Sequence, residues 1–201
     1  MYTVKHSNKG RIAEFSQEKY QRDEILVSGN EELNKFIENK LLKLAYQPIV
    51  DVHTGEIFAY EALMRPKMEK LKTPFDVIRL AKSQSRLMDI EVLTWETALE
   101  DYFIHKNGGN GKKLFINSFP NAVLSKESEQ FCKEHFGQYF NRVVVEMTEN
   151  EEMNDIYMER KRAAGGKDQI EFALDDFGSG FNSEINIIEV QPSYVKIDKS
   201  F

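Results

Sequence analysis

The sequence predicts an α/β fold built on a parallel sheet. Two observations carry this. Short apolar runs alternate with helical patterns along most of the chain, which implies a parallel sheet with helices packed on it. Each apolar run also ends in a polar or charged residue that a buried strand would not otherwise carry: Glu61, Asn117, Glu146, Asp175 with Asp176, and Lys196.

The elements follow in order. Residues 1–27 are polar and mixed, without a long hydrophobic period. Ser28-Gly-Asn-Glu31 fits a capping box, and Leu33, Phe36, Ile37, Leu41 and Leu44 follow at helical spacing, so 28–43 reads as a linker helix. Ala45–Val52 reads as a strand, His53-Thr-Gly55 as a turn and Glu56–Glu61 as a second strand. Pro48 cannot donate to a ladder, which argues against a central place for the first of these. From Pro74 to about His105 the pattern is helical, with Met88, Val92, Trp95, Leu99 and Phe103 forming one apolar stripe. Gly108–Gly111 breaks it. Leu114–Asn117 is a buried-strand candidate, 125–137 a helix and Val143–Glu146 a strand. Residues 151–165 form a polar helix that ends at Gly165-Gly166; Phe172–Asp176 and Tyr194–Asp198 are the last strands.

Composition narrows the function classes. With 41% hydrophobic and 30% charged residues, the chain is an ordinary globular mixture rather than a disordered one. The net charge of −6 argues against a nucleic-acid polymer as partner, since phosphates need a basic face. Cys132 alone forms no internal disulfide, no apolar run approaches the roughly 20 residues of a membrane helix, and the N-terminus lacks the apolar core of a signal peptide. These features point to the cytoplasm, with any membrane tether lying in parts outside this chain. The four histidines show no metal-ligand spacing, and Gly108-Gly-Asn-Gly-Lys112 lacks the spacing of a phosphate loop. Cys132 reads as a packing residue.

In a parallel α/β sheet or barrel the C-terminal strand ends share one face. Four carboxylates and an amide would therefore converge. Buried like charges repel unless something positive lies between them, and a hard divalent cation with oxygen ligands resolves this.

The motifs together resemble the EAL domain family of cyclic-di-GMP phosphodiesterases. Tyr46-Gln-Pro-Ile-Val50, Glu61-Ala-Leu63 with Arg65, Asn117 in LFINSFP, Glu146-Met-Thr-Glu149, Asp175-Asp-Phe-Gly-Ser-Gly180 and Lys196-Ile-Asp198 occur in that family's order across residues 44–201. The resemblance implies a (β/α) barrel of the EAL type with one antiparallel strand, incomplete because 44–201 falls short of the roughly 250 residues of a full barrel. It implies cleavage of cyclic-di-GMP to linear pGpG with two Mg²⁺ or Mn²⁺ ions. Glu61, Asn117, Glu146, Asp175 and Asp176 would be the metal ligands, with Glu61, Asp176 and Lys196 the catalytic set. Arg65 and Asp198 would touch substrate, and Glu149 would anchor the loop after Asp176.

Two further implications concern the chain's extent. Met1-Tyr, Lys5, Gly10-Arg11 and Phe15 resemble the tail of a GGDEF, or diguanylate cyclase, domain, which commonly precedes an EAL domain. Family members continue for two more βα units, which carry a glutamate and a glutamine of the site. Without them the chain is expected to bind metal weakly, to turn over slowly or not at all, and to self-associate; homodimerisation through the loop after Asp176 is a separate expectation. The alternative function is a non-catalytic module that binds cyclic-di-GMP or a protein.

Overall fold

The computed structural model describes residues 29–106, 111–122, 124–148, 159, 170–178, 187–188 and 190–199. The GGDEF-like segment, the Ser28 cap, Glu149, most of the 151–165 helix, Gly165-Gly166 and most of the loop after Asp176 lie outside the described residues.

Helix α1 (29–38) buries Leu33 and Phe36. Leu41 and Leu44 fit its spacing but lie beyond it. Lys40 turns into the left-handed region at φ 47°, and the Leu41 N–H returns to the Phe36 carbonyl, which closes the helix. Strand β1 (Leu42–Val50) therefore starts inside the stretch read as linker. It pairs antiparallel with β2 (Ile57–Pro66) and forms one edge of the sheet, where Pro48 withholds no needed donor. The Asp51 carboxylate accepts the N–H groups of His53 and Thr54, and Gly55 takes φ 73°, so the hairpin turns as its residues dictate.

From β2 onward every pairing is parallel: β2 with β3 (Lys113–Asn117), then β4 (Val143–Thr148), β5 (Glu171–Phe177) and β6 (Tyr194–Ile197), in sequence order. Beyond Ala62, β2 runs on to Pro66 against β1 alone, so this strand does not end at Glu61 as the sequence suggested. The result is a partial (β/α) barrel whose antiparallel strand is the expected one.

The stretch read as one helix is two. α2 (Pro74–Ser83) opens with a capping box in which Thr73 and Asp76 satisfy each other's backbone N–H. The chain breaks at 84–86, where Ser85 has φ 56°, and α3 (Leu87–Leu99) continues into a wider turn over Glu100–His105. α4 (Lys126–Phe136) is capped by Ser125.

Helices cover the outer face. Trp95, Leu99, Tyr102 and Phe103 pack with Leu114, Ile116, Val143, Val145 and Met147, and Cys132 belongs to the same cluster. Burial pushes the Cys132 thiol up to about 11, so it packs rather than reacts. A smaller cluster of Ala59, Phe115, Val144 and Ala173, with Ile49 and Tyr194 against it, fills the inner face. No helix among the described residues is long and apolar enough to cross a membrane.

Candidate active site at the strand ends

Side chains two positions apart on a strand share a face. Ala59, Phe115, Val144, Ala173 and Tyr194 line the inside of the sheet. Two residues further along the same five strands stand Glu61, Asn117, Glu146, Asp175 and Lys196. The pleat that builds the inner apolar layer thus stacks a polar layer on it, toward the C-terminal strand ends.

These five side chains meet. The Lys196 ammonium lies 2.6 Å from Glu146 Oε1, 3.0 Å from Glu61 Oε2 and 3.3 Å from Asp175 Oδ1. Asn117 donates its Nδ2 to Glu61 Oε1 at 3.2 Å. Burial, with Glu61 and Asp175 nearby, raises the Glu146 carboxyl to about 7 even though Lys196 pulls it down. Burial acts to lower the Lys196 pKa, but Glu146 and Glu61 outweigh it and hold the ammonium protonated.

Asp176 needs a separate cause, because strict alternation would turn it away from its neighbour Asp175. Between β5 and β6 the register slips: Leu174 pairs with Val195, but Phe177 pairs with Ile197, so β5 carries one extra residue. Asp176 takes φ 57°, a conformation aspartate tolerates better than most residues. The bulge brings both consecutive aspartates into one electrostatic group. Burial, then Asp175 and Asp198, raise the Asp176 pKa, and Asp198 also hydrogen-bonds to it.

Arg65 stands apart. It is exposed four residues beyond Glu61 and donates to the Met64 carbonyl at 2.8 Å. The sequence reading passed over Glu91, whose carboxylate accepts from Ser118 and from the Phe119 N–H just past Asn117. The signal was available: a charged residue four before Trp95 on the buried stripe of α3.

The donor set suits a hard cation. It consists of carboxylate and amide oxygens, and Glu146 is 1% exposed. Its Oε1 lies 2.6 Å from the Lys196 ammonium, which also donates a hydrogen bond to it. Among the described residues no group of three or more His, Cys, Asp or Glu side chains is arranged to hold an ion; the Lys196 ammonium lies among three of the carboxylates instead.

The sequence profile of the EAL domain matches residues 30–201. This chain belongs to the EAL domain family. A probable cyclic di-GMP phosphodiesterase of Escherichia coli, PdeB, is 28% identical over 185 residues, 88% of this chain and 35% of that protein. The chain spans about a quarter to a third of the length of the curated relatives it matches. The EAL domain of Xanthomonas citri FimX, solved with c-diGMP, superposes with a TM-score of 0.73 at 18% identity, covering 90% of this chain and 73% of that one. Klebsiella pneumoniae BlrP1, in a manganese and cy-diGMP complex, gives 0.64 at 20% identity, covering 80% and 41%. At these identities the two structures establish the shared EAL fold.

Proposed function

We propose that this chain is the catalytic portion of a divalent-cation-dependent phosphodiesterase that opens cyclic-di-GMP to linear pGpG. The observation that carries the reading is the convergence of Glu61, Glu146 and Asp175 on Lys196, with Asn117 bonded to Glu61 and the Glu146 carboxylate buried. The phosphodiesterase name of PdeB and the nucleotide in the FimX and BlrP1 structures support the substrate class.

Glu61, Asn117, Glu146, Asp175 and Asp176 would hold the cations, Mg²⁺ or Mn²⁺. When bound, two such ions supply Lewis-acid activation of water and offset phosphate charge. The chain's own residues do the rest. Lys196 keeps a fixed positive charge beside the carboxylates, suited to orienting the attacking water and the developing oxyanion. Arg65, exposed at the rim, offers forked donors to a phosphate oxygen. Asp198, hydrogen-bonded to Asp176, would meet substrate beside it. Glu149, outside the described residues, would by the family resemblance anchor the loop after Asp176.

A second reading follows from Lys196 itself. A cation already lies among the three carboxylates, so the site is partly neutralised without metal, as a module that binds the dinucleotide without cleaving it would allow. Chromatography of cyclic-di-GMP incubated with the protein and Mn²⁺ separates the two. Conversion to pGpG that vanishes in Glu61→Ala supports the enzyme. Binding with no product supports the module, and equal turnover in the folded variant sinks the ligand assignment.

A further inference from the structure

Glu146 is not the only carboxylate the fold buries. Glu91, in the middle of α3, is 2% exposed and flanked by buried Ile90, Leu93, Thr94 and Trp95. A charge there is costly unless donors meet it. Two of its donors come from one short segment. Ser118 donates its hydroxyl to Glu91 Oε1, and Phe119 donates its backbone N–H to Oε2 at 3.1 Å. One oxygen therefore serves each of two consecutive residues, a two-point clamp on the chain as it leaves β3.

That segment immediately follows Asn117, the last residue of β3. Ser118 is also tied on its other side, its N–H donating to the Glu146 carbonyl at 2.9 Å. The peptide after Asn117 is thus fixed between a candidate ligand's backbone on β4 and a carboxylate on α3. Asn117 needs such support more than its neighbours do. It is a neutral ligand that must present its amide oxygen, and it contacts the cluster through one Nδ2 bond to Glu61. Charge alone does not orient it.

We propose that Glu91 is a positioning residue for the cation site: by clamping Ser118 and Phe119 it sets the orientation of Asn117. This rests on the phosphodiesterase reading above. Partners that orient ligands typically change metal affinity or activity by about 10–100-fold when removed. Glu91→Gln keeps the shape; its amide oxygen accepts the Phe119 N–H and its NH₂ donates to the Ser118 hydroxyl. Glu91→Ala removes both contacts, and Ser118→Ala removes one with little risk to folding.

The test measures the Mn²⁺ concentration for half-maximal cyclic-di-GMP turnover in wild type and the three variants, with the Asn117 side-chain amide followed by ¹⁵N NMR. Glu91→Ala should raise the half-saturating Mn²⁺ about tenfold or more, Ser118→Ala by less, and Glu91→Gln should recover most of the loss. If Glu91→Ala fails to fold, Ser118→Ala carries the test. Unchanged Mn²⁺ dependence in a folded variant overturns the proposal and leaves the phosphodiesterase reading standing. If the wild type turns over nothing, that reading fails, and the Asn117 resonance decides alone: movement in the variant sustains the clamp, and no movement overturns it.

Discussion

The inside of this sheet holds two lysines among carboxylates, at opposite ends of the same strands, and they are built differently. Near the strand starts, Lys113 meets one carboxylate, Glu171, and the Tyr194 hydroxyl at 2.8 Å. Burial works against that ammonium, but Glu171 and Tyr194 raise its pKa. One cation faces one anion, and the group is satisfied. Near the strand ends, Lys196 faces Glu61, Glu146 and Asp175, with Asp176 and Asp198 beside them. One cation faces three anions in direct contact. A matched pair is satisfied as it stands; an excess of buried negative charge is relieved by a proton, as at Glu146, or by further positive charge. The difference separates a structural plug from a site.

Substitutions sharpen that contrast. The largest effect should follow Glu146→Ala, which removes a carboxylate acting as part of a unit. Turnover of cyclic-di-GMP should fall by roughly three orders of magnitude or more in steady-state assay, with the circular dichroism spectrum retained. Turnover within a few-fold of wild type would erase the distinction between the two ends.

Lys196→Met should come next. It leaves three carboxylates without their ammonium, so thermal or urea unfolding in chelator should show a loss of about 3–5 kcal/mol. Added Mn²⁺ should recover much of it. A variant as stable as wild type in chelator would mean the top cluster is no more strained than the bottom one.

A pH series reads the same imbalance. Burial lifts the Glu146 carboxyl from an ordinary 4.5 to about 7. Between those values the folded, metal-free protein keeps a proton that the unfolded chain has lost. Stability from this group is therefore full below about pH 4.5 and declines as pH rises toward 7, by up to ~3 kcal/mol. Glu146→Gln should flatten that slope in chelator; an unchanged slope would assign it to other groups.

The smallest effect belongs to the plug. Lys113→Met breaks a partly exposed pair and should cost about 1 kcal/mol with turnover unchanged. A large loss of activity would join the two ends functionally.

What was legible in the sequence followed from period and position. Apolar runs reaching Glu61, Asn117 and Glu146 announced parallel strands with a polar layer toward one end, although β2 runs on to Pro66 and β4 to Thr148. Pro48 announced the edge. The break at 84–86 was illegible: Lys82-Ser-Gln-Ser-Arg86 has no glycine or proline, yet the exposed Ser85 turns left-handed and the Arg86 N–H returns to the Ala81 carbonyl, closing α2. The extension of β2 to Pro66 depended on a partner strand that local patterning does not reveal. The bulge at Asp175-Asp176 was half legible. The paired aspartates stood out, but the extra residue that makes both useful exists only in the pairing with β6. Glu91 was visible as a charge on an apolar stripe, yet its partners at Ser118 and Phe119 appear only when α3 packs beside β3.

The central claim is that the strand-end cluster, unlike the plug, is a cation site. Calorimetric titration of the protein with Mn²⁺ at neutral pH tests it without reference to turnover. Wild type and Lys113→Met should bind alike, and Glu146→Gln should lose most of the binding. No binding to folded wild type, or equal binding to all three proteins, would contradict the account.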